Sequence, residues 1–311
     1  MLDVVCLGNV SIDDIVLHEG TTRMACFGGD AIYAALSARM WSDAVQFVAP
    51  IGADYPIEHI ARLQGAGWDL QGMPRRDVPT HRNWVIYEQD GRRTWVLRTD
   101  ENNFFLLSPL TADIPPAFRQ TRSFLILAMD LAAQEDLVAG LRGGEALIAL
   151  DPQEDYIPGN EQRVLGMLAG VDIFLPSEIE VERLLGHQDY PRAALQFAEL
   201  GCKIVGIKLG ARGSLLYDAR SRRFARLPAA AAQVVDTTGA GDSFSGGFMA
   251  RYLQTGDVVQ AGLAGTVSAS FAVEGFGLNH LFDVLRFQTL YRLDGFSGSG
   301  RSLISDQVDT P

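Results

Sequence analysis

The feature that most constrains the fold is the alternation of short apolar runs with helix-forming stretches across the second half of the chain. The apolar runs predict strands at residues 124–128, 146–150, 173–175, 204–208 and 214–217. The stretches between several of them predict helices at residues 132–141, 162–168, 178–185 and 192–200. Apolar strands that alternate with helices are typical of a mostly parallel sheet covered by helices on both faces. The sequence therefore predicts an α/β fold.

The N-terminal part of the chain extends this pattern around a glycine pair. Residues 4–7 predict a buried first strand that ends at Gly8. Gly28-Gly29 interrupts the chain, and Asp30 is expected to cap the helix that follows it. The remaining predictions here and near the C-terminus are a strand at 46–50 and helices at 31–41, 59–66, 242–253 and 258–273.

A second, smaller sheet is predicted to project from the main domain. Residues 84–88 and 94–97 are rich in β-forming side chains and flank Asp90-Gly91, a strong hairpin signal. With the strand-like pieces at 13–17 and 24–27, they predict a lid built from residues of about 12–27 and 80–104. We expect one domain over residues 1–295 and a loosely ordered tail over 296–311, which is rich in Gly, Ser and Asp.

Composition and charge exclude several classes of partner. The net charge of −12 disfavours nucleic acid and anionic membranes as partners. The chain has no apolar stretch of the ~18 residues that a membrane span needs, and its N-terminus lacks the pattern of a signal peptide. Three widely separated cysteines, Cys6, Cys26 and Cys202, indicate reduced thiols and a cytoplasmic protein.

Residues 236–244, Asp-Thr-Thr-Gly-Ala-Gly-Asp-Ser-Phe, carry the predicted chemistry. Small residues at 239–241 let the backbone approach a ligand, and the start of the next helix offers N–H groups and a dipole that suit a phosphate. A carboxylate at Asp242 would repel that phosphate unless it accepts a proton from an attacking hydroxyl. These features predict a site of phosphoryl transfer.

This segment has other interpretations. Asp242 could be an ordinary N-capping residue with no catalytic role, and this interpretation would be preferred for an isolated Gly-x-Gly-Asp. A dinucleotide-binding fingerprint would need a third glycine at 244, where the chain has Phe244. The chain also lacks the Gly-x-x-x-x-Gly-Lys-Ser/Thr pattern of P-loop proteins.

Four motifs, taken in order along the chain, resemble those of the ribokinase-like (phosphofructokinase-B type) carbohydrate kinases. They are Gly28-Gly29-Asp30-Ala31, Ile51-Gly52-Ala53-Asp54, Ile207-Lys208-Leu209-Gly210-Ala211-Arg212-Gly213, and the segment 236–244 followed by Gly246-Gly247-Phe248. The resemblance covers residues 4 to about 280. It implies a three-layer α/β/α domain with a mostly parallel central sheet and a β-sheet lid, and a kinase that uses ATP and Mg²⁺.

The resemblance also implies roles for individual residues. Asp242 would be the catalytic base, and Gly239, Ala240 and Gly241 the anion hole. Residues matching the nucleotide side are Ser177, Glu180, Lys208, Gly210 and Gly213. Glu180 would organise Mg²⁺ through water, although Ser177 stands where the family usually has asparagine. Positions matching a monovalent cation site, with K⁺ as the candidate ion, are Asp236, Thr238, Ala272 and Gly277.

Positions on the acceptor side depart from the family more clearly. Asp13, Gly28, Gly29 and Asp30 match substrate-facing positions, and short acidic side chains can accept hydrogen bonds from sugar hydroxyls. Asp30 and Tyr33 stand where many sugar kinases have asparagine. Asn102 or Asn103 could reach the acceptor. Arg98 could bind a charged group of the acceptor, or it could be a solvated lid residue. The turn aspartate and helix-cap interpretations of Asp13 and Asp30 stay open.

The sequence thus predicts an ATP-dependent kinase that phosphorylates a hydroxyl of a sugar or sugar acid. A nucleoside acceptor is the main alternative, and Tyr33, Trp84 or Trp95 could stack on its base. A catalytically silent binding protein of the same fold is the non-enzymatic alternative, disfavoured because Asp242 and the glycines are present. The exposed face of the lid predicts a homodimer formed through it.

Overall fold

The computed structural model describes residues 1–89, 93–100 and 102–298. Within these residues, eight strands form one sheet in the order β12-β11-β10-β9-β8-β7-β1-β4. The strands are β1 Leu2–Leu7, β4 Val45–Val48, β7 Thr121–Ile126, β8 Leu147–Leu150, β9 Ile173–Phe174, β10 Ile204–Lys208, β11 Ser214–Asp218 and β12 Arg223–Leu227. All neighbours from β4 to β10 pair in parallel, and β11 and β12 are antiparallel additions at one edge. The predicted mostly parallel sheet is confirmed.

Helices cover both faces of this central sheet. The helices are α1 Asp30–Arg39, α2 Ile57–Gly65, α3 Asn102–Leu107, α4 Leu131–Leu141, α5 Glu161–Met167, α6 Glu178–Leu185, α7 Tyr190–Glu199, α8 Ala240–Thr255, α9 Val258–Ala272 and α10 Arg286–Gly298. Buried side chains of α1, α8 and α9 pack on one face, and those of α4 to α7 pack on the other. The chain therefore has the three-layer α/β/α architecture that the sequence predicts.

Strand β1 shows how the sheet separates two cores. Val4 and Cys6 belong to the core under α1, α8 and α9, whereas Val5 and Leu7 belong to the core under α4 to α7. Successive side chains of a strand point to opposite faces, so a strand covered on both sides must be apolar at every position. This explains why the strand segments appear in the sequence as unbroken apolar runs.

The second sheet, called the lid sheet below, has the order β3-β2-β5-β6. Its strands are β2 Ser11–Val16, β3 Thr22–Gly28, β5 Arg82–Tyr87 and β6 Arg93–Leu97. β2 pairs in parallel with β5, and the outer pairs β2–β3 and β5–β6 are antiparallel. A register shift between Asp13 and Ile15 bends β2. The predicted small sheet from the two separate segments is present.

Some local predictions differ from the structure. Asp30 is the first residue of α1 and does not cap it; Gly29 is the N-cap, and no side chain caps the helix end. Val234 and Val235, which precede the segment 236–244, have no regular structure. Strand β12 and helices α3 and α10 were not predicted. Helix α10 extends to Gly298, whereas residues 299–311 of the predicted tail and the predicted turn at Asp90-Gly91 lie outside the described residues.

Among the described residues, no helix is both long and apolar enough to traverse a lipid bilayer.

Candidate active site

The glycine turn at the start of α8 forms the centre of the candidate site. Gly239 is the N-cap of the helix and has a φ of 75°. A side chain at this position would collide with the ring of Tyr33, whose Cδ1 atom lies 2.3 Å from the ideal Cβ position. Ala240 and Gly241 begin the helix, so their N–H groups belong to the first turn, which has no partner within the helix. The turn thus has the geometry of an anion-binding helix start.

Asp242 is the third residue of α8 and lies in its acidic first turn. Its side chain is half-buried. The N-cap position belongs to Gly239, so the alternative interpretation of Asp242 as the capping residue is excluded. A carboxylate in a first helical turn interacts favourably with the helix dipole.

Lys208 brings a positive charge to the same turn. It is the last residue of β10, and its Nζ atom lies 3.3 Å from where a Cβ of Gly241 would be. Burial disfavours its ammonium group, but the carboxylates of Asp151 and Glu180 outweigh burial and raise the pKa of Lys208. Asp242 acts in the same direction. A permanently charged ammonium therefore stands beside the glycine turn.

Asp151 fixes Lys208 in this position, and the sequence analysis did not identify it. The Lys208 Nζ atom donates to Asp151 Oδ2 at 2.5 Å, and the hydroxyl of Ser245 donates to the same oxygen at 2.7 Å. Asp151 follows β8 directly and is 3% exposed. The position of Asp151 directly after a buried parallel strand could have indicated a site residue, because the carboxyl ends of parallel strands meet at the edge where α/β proteins bind their ligands.

Ser177 and Glu180 lie at the start of α6, on the predicted nucleotide side. They form a capping box in which Glu180 Oε2 accepts the Ser177 N–H at 2.5 Å and Ser177 Oγ accepts the Glu180 N–H at 3.3 Å. Burial raises the pKa of Glu180 to about 8; Lys208 opposes the shift and Asp151 adds to it. The carboxyl group of Glu180 therefore shares one neighbourhood with the Lys208–Asp151 pair.

Gly210 and Gly213 flank the loop between β10 and β11. Gly213 has a φ of 86°, and a Cβ there would lie 1.9 Å from the carbonyl oxygen of Leu227. The guanidinium of Arg212, within the loop, bonds to Glu178 in the first turn of α6. The loop is thereby tied to the helix that carries Glu180.

Asp13 and Asp30 are the two carboxylates predicted to face the acceptor. Asp13 accepts a hydrogen bond from Ser11 at 2.9 Å and from Asn83 of the lid sheet at 3.1 Å. Asp30 Oδ1 accepts the backbone N–H of Asn9 at 2.8 Å. Burial raises the pKa of Asp13 to about 6, where the bonds from Asn83 and Ser11 oppose the shift and Asp236 adds to it. Burial, followed by the charge of Asp242, also raises the pKa of Asp30.

Gly28 and Gly29 are required for this arrangement. A Cβ on Gly28 would lie 2.1 Å from Asp13 Oδ2, and Gly29 has a φ of 117° with the carbonyl oxygen of Asn9 only 2.5 Å from its ideal Cβ. A larger residue at 28 would displace the Asp13 carboxylate, and one at 29 would displace the backbone of residues 9–11.

Four further residues predicted on the acceptor side are Tyr33, Arg98, Asn102 and Asn103. Tyr33 is buried beneath Gly239. The guanidinium of Arg98 pairs with Asp14 and lies 5.1 Å from the ring centroid of Trp84. Asn102 is exposed and bonds to Asp100 at the start of α3. A direct role of these four residues toward an acceptor stays a prediction.

An aromatic row next to β2 and α3 was also not identified from the sequence. The rings of His81 and Phe104 lie 4.9 Å apart, and those of Phe104 and Tyr156 lie 5.8 Å apart and are nearly parallel. The backbone of His81 accepts the N–H of Ile12, next to Asp13. Burial lowers the pKa of His81 to about 4, so this ring is neutral near pH 7. An aromatic row whose histidine is uncharged near pH 7 therefore lies beside the strand that carries Asp13.

Asp236, at the predicted cation position, is 1% exposed. Its Oδ1 atom accepts the Thr238 N–H at 2.9 Å and the hydroxyl of Tyr87 at 2.5 Å. Its Oδ2 atom is buried and has no hydrogen-bond partner among the described residues. The Asp236 N–H bonds to the carbonyl of Val273 at 3.3 Å. Asp236 is thereby joined to the chain segment that contains Ala272 and Gly277.

Three or more His, Cys, Asp or Glu side chains arranged to hold a metal ion are not found in the part of the chain that the structure describes.

Comparison with known proteins identifies the class. The model of the pfkB family of carbohydrate kinases matches residues 1–283, so the chain belongs to this family of phosphotransferases. It is 31% identical over 254 residues to a cytidine kinase of Thermococcus kodakarensis, covering 81% of this chain and 89% of the relative. It is 26% identical over 297 residues to a ribokinase of Haemophilus influenzae, covering 86% and 90%.

A solved structure has the same fold. A candidate ribokinase II of E. coli, determined in complex with ATP and Mg²⁺, has a TM-score of 0.78 and 20% sequence identity, with 95% of this chain and 100% of the other covered. The resemblance inferred from the four motifs is therefore confirmed at the level of family and fold.

Proposed function

We propose that the protein is an ATP-dependent kinase with Asp242 as general base and residues 239–241 as the anion hole. The observation that carries the proposal is the position of Lys208 and Asp242 at one glycine turn, where a helix start and an ammonium can balance phosphate charge. Asp242 takes the proton of the acceptor hydroxyl while the oxygen of that hydroxyl bonds to the γ-phosphorus. The bond from that phosphorus to the β,γ-bridging oxygen breaks, and ADP leaves.

ATP and Mg²⁺ are the proposed cofactors, with Ser177, Glu180, Lys208, Gly210 and Gly213 on the nucleotide side. Mg²⁺ usually keeps several waters and is held by one or two carboxylates together with phosphates. The carboxyl groups of Glu180 and Asp151 fit such a site, since they lie close enough for the charge of Asp151 to add to the effect of burial on the pKa of Glu180. When bound, Mg²⁺ would neutralise phosphate charge.

A monovalent cation such as K⁺ is proposed next to the anion hole. The buried Oδ2 atom of Asp236 lacks a hydrogen-bond partner within the described residues, which fits a cation at that point. Thr238 and the backbone near Ala272 and Gly277 would complete the site.

The acceptor is proposed to be neutral. Asp242 lies close enough to Asp30 for its charge to add to burial in raising the pKa of Asp30, and the charges of Asp236 and Asp14 likewise raise that of Asp13. A sugar acid would bring a further negative charge into this group, which like-charge repulsion disfavours. The acceptor is therefore expected to offer hydroxyl groups and no carboxylate.

Among neutral acceptors, we favour a nucleoside. The row of His81, Phe104 and Tyr156 supplies an apolar aromatic surface beside the acceptor carboxylates. A free sugar has no flat apolar group that would use it, whereas a base stacks well on aromatic rings. The similarity to a cytidine kinase supports the same choice.

A free pentose is the second candidate. Asp13 and Asp30 can hold a pair of ribose hydroxyls whether or not a base is attached. The similarity to a ribokinase supports this alternative.

A coupled ATP assay over cytidine, uridine, adenosine, ribose, deoxyribose and gluconate tests these proposals together. We expect turnover with at least one nucleoside, less with ribose and none with gluconate. Preference for gluconate would refute the charge argument. Absence of turnover with all six compounds, despite ATP binding, would favour the catalytically silent alternative.

Assembly as a homodimer through the lid sheet also stays a proposal. Met24, Trp95 and Val96 on its edge strands are exposed, and exposed apolar edge strands favour pairing. Light scattering of Val96→Glu against the unmodified protein tests it, because a charge at the contact should give monomers. Location in the cytoplasm stays a prediction from the sparse cysteines.

A further inference from the structure

Tyr87, the last residue of β5, joins the lid sheet to the glycine turn. Its hydroxyl donates to Asp236 Oδ1 at 2.5 Å and accepts the backbone N–H of Thr237 at 3.1 Å. The same oxygen lies 3.1 Å from Thr238 Oγ1. These three residues immediately precede Gly239. The hydroxyl of Tyr87 thus contacts all three residues that immediately precede the predicted anion hole.

The contact continues into the first turn of α8. The carbonyl of Thr237 accepts the N–H of Ala240 at 3.3 Å, and Asp236 Oδ1 accepts the N–H of Thr238. A shift of Asp236 or Thr237 would therefore change the direction of the N–H groups at 239–241. Those groups must point at the transferred phosphoryl to stabilise it.

Strand β5 also reaches the acceptor side. Asn83, four residues before Tyr87, donates to Asp13 at 3.1 Å. Side chains at even spacing along a strand share a face, so Asn83 and Tyr87 extend from the same face of the lid sheet. One strand therefore contacts an acceptor carboxylate at one end and the anion-hole segment at the other.

We propose that Tyr87 is a positioning residue that couples closure of the lid sheet over the acceptor to assembly of the anion hole. The proposal rests on the proposed kinase function. The Tyr87 hydroxyl is in place only when β5 lies against the glycine turn, and β5 is held there through Asn83 and Asp13. With the lid displaced, Thr237 loses a hydrogen-bond acceptor and the turn is free to relax. Transfer of the phosphoryl group to water is thereby suppressed whenever the lid sheet is displaced from the turn.

The first test is hydrogen–deuterium exchange of the Tyr87→Phe variant without acceptor. This substitution removes only the hydroxyl, so the ring still packs. We expect the Thr237 amide to exchange about tenfold or more faster than in the unmodified protein, because its acceptor is gone. Tyr291→Phe, at an 83% exposed position on α10, is the control and should leave exchange unchanged. Unchanged exchange at Thr237 in Tyr87→Phe would overturn the proposal.

The second test is kinetic and uses the best acceptor from the screen. For Tyr87→Phe we expect kcat to fall by about 10–100-fold, as the loss of a hydrogen bond to a charged group implies. The acceptor KM should change by less than about threefold, and ADP formed should still equal phosphorylated acceptor, because a relaxed turn slows transfer to water as well. A lower melting temperature with unchanged kcat would show that Tyr87 is only a tether, which contradicts the proposal.

The two tests separate this inference from the proposed function. If no acceptor is phosphorylated by the unmodified protein, the proposed function fails while the exchange measurement still decides whether the Tyr87 contact orders the turn. If the unmodified protein is an active kinase and Tyr87→Phe matches it in both tests, the coupling fails while the proposed function stands.

Discussion

Replacing Asp151 by asparagine should reveal how strongly the buried ion pair supports the fold. The side chains of Asp151 and Lys208 are 4% and 13% exposed, and Ser245 donates to the same carboxylate oxygen. Removing one partner of a buried pair costs about 3–5 kcal/mol, because the other charge stays buried. Glu180 also attracts Lys208 and can offset part of this loss. We therefore expect the free energy of unfolding to fall by about 3 kcal/mol at pH 7.

The loss should depend on pH in a defined direction. Without Asp151, burial would lower the pKa of Lys208 below its ordinary value, so the folded variant releases a proton more easily than the unfolded chain. A base with a depressed pKa in the folded state becomes less destabilising as pH rises. The difference between Asp151→Asn and the unmodified protein should therefore shrink between pH 7 and pH 9.

Urea unfolding followed by circular dichroism at both pH values measures these effects. Ser245→Ala is the matched control, since it removes only a hydroxyl bond to the same oxygen and should cost about 1 kcal/mol. The double variant Asp151→Asn/Lys208→Met should recover much of the loss, because no uncompensated charge remains. A loss below about 1 kcal/mol, or a double variant no more stable than Asp151→Asn, would refute this account of the pair.

Three further predictions address the turn and its neighbours. Asp242→Asn should retain ADP binding by calorimetry and lose about 10²–10⁴-fold in kcat; near-full turnover would contradict the base assignment. Gly239→Ala should lower stability by about 1–3 kcal/mol through its positive φ and its contact with Tyr33. Gly256 has a φ of 66° and open space around it, so Gly256→Ala should lower the stability less when both variants are compared by thermal unfolding. An equal loss of stability would show that the contact with Tyr33 contributes nothing. Glu180 has a pKa raised from 4.5 to about 8, so its protonation favours the folded state below pH 4.5 and this contribution is lost as pH rises to about 8. Glu180→Gln should therefore flatten the pH dependence of the unfolding free energy in that window by up to about 1.4 kcal/mol per pH unit; an unchanged profile would contradict the shift.

The fold was largely predictable because its signal is local. Strands covered on both faces must be apolar at every position, and this pattern can be found without any three-dimensional information. Strand β12 escaped detection because arginines interrupt its apolar residues without a regular alternation at this sheet edge. Asp30 illustrates the opposite error: an aspartate after two glycines fits a helix cap, but the backbone of Asn9 is a closer partner for its carboxylate.

The site was predictable only where its residues are contiguous in sequence. Residues 236–242 and the glycine pair at 28–29 are short motifs whose spacing limits what they can do. Tyr87 and Asp236 are separated by 149 positions, and a tyrosine at the end of an alternating strand carries no mark of such a partner. Asp151 is an intermediate case, because its place after a buried parallel strand points to the ligand-binding edge but not to Lys208.

The two acceptor carboxylates are suited to different tasks, and this difference favours an acceptor with neighbouring hydroxyl groups. Asp13 receives hydrogen bonds from Ser11 and Asn83, which favour its ionised form and oppose the effect of burial on its pKa. Asp30 lies against Asp242, and burial together with that charge shifts it toward the protonated form. An ionised carboxylate only accepts hydrogen bonds, whereas a protonated one can also donate. One hydroxyl of the proposed acceptor can thus donate to Asp13 while another accepts from Asp30. Because a charged Asp242 favours protonation of Asp30, the proposed base and the proposed donor depend on each other, and replacing either carboxyl group should weaken both proposed functions.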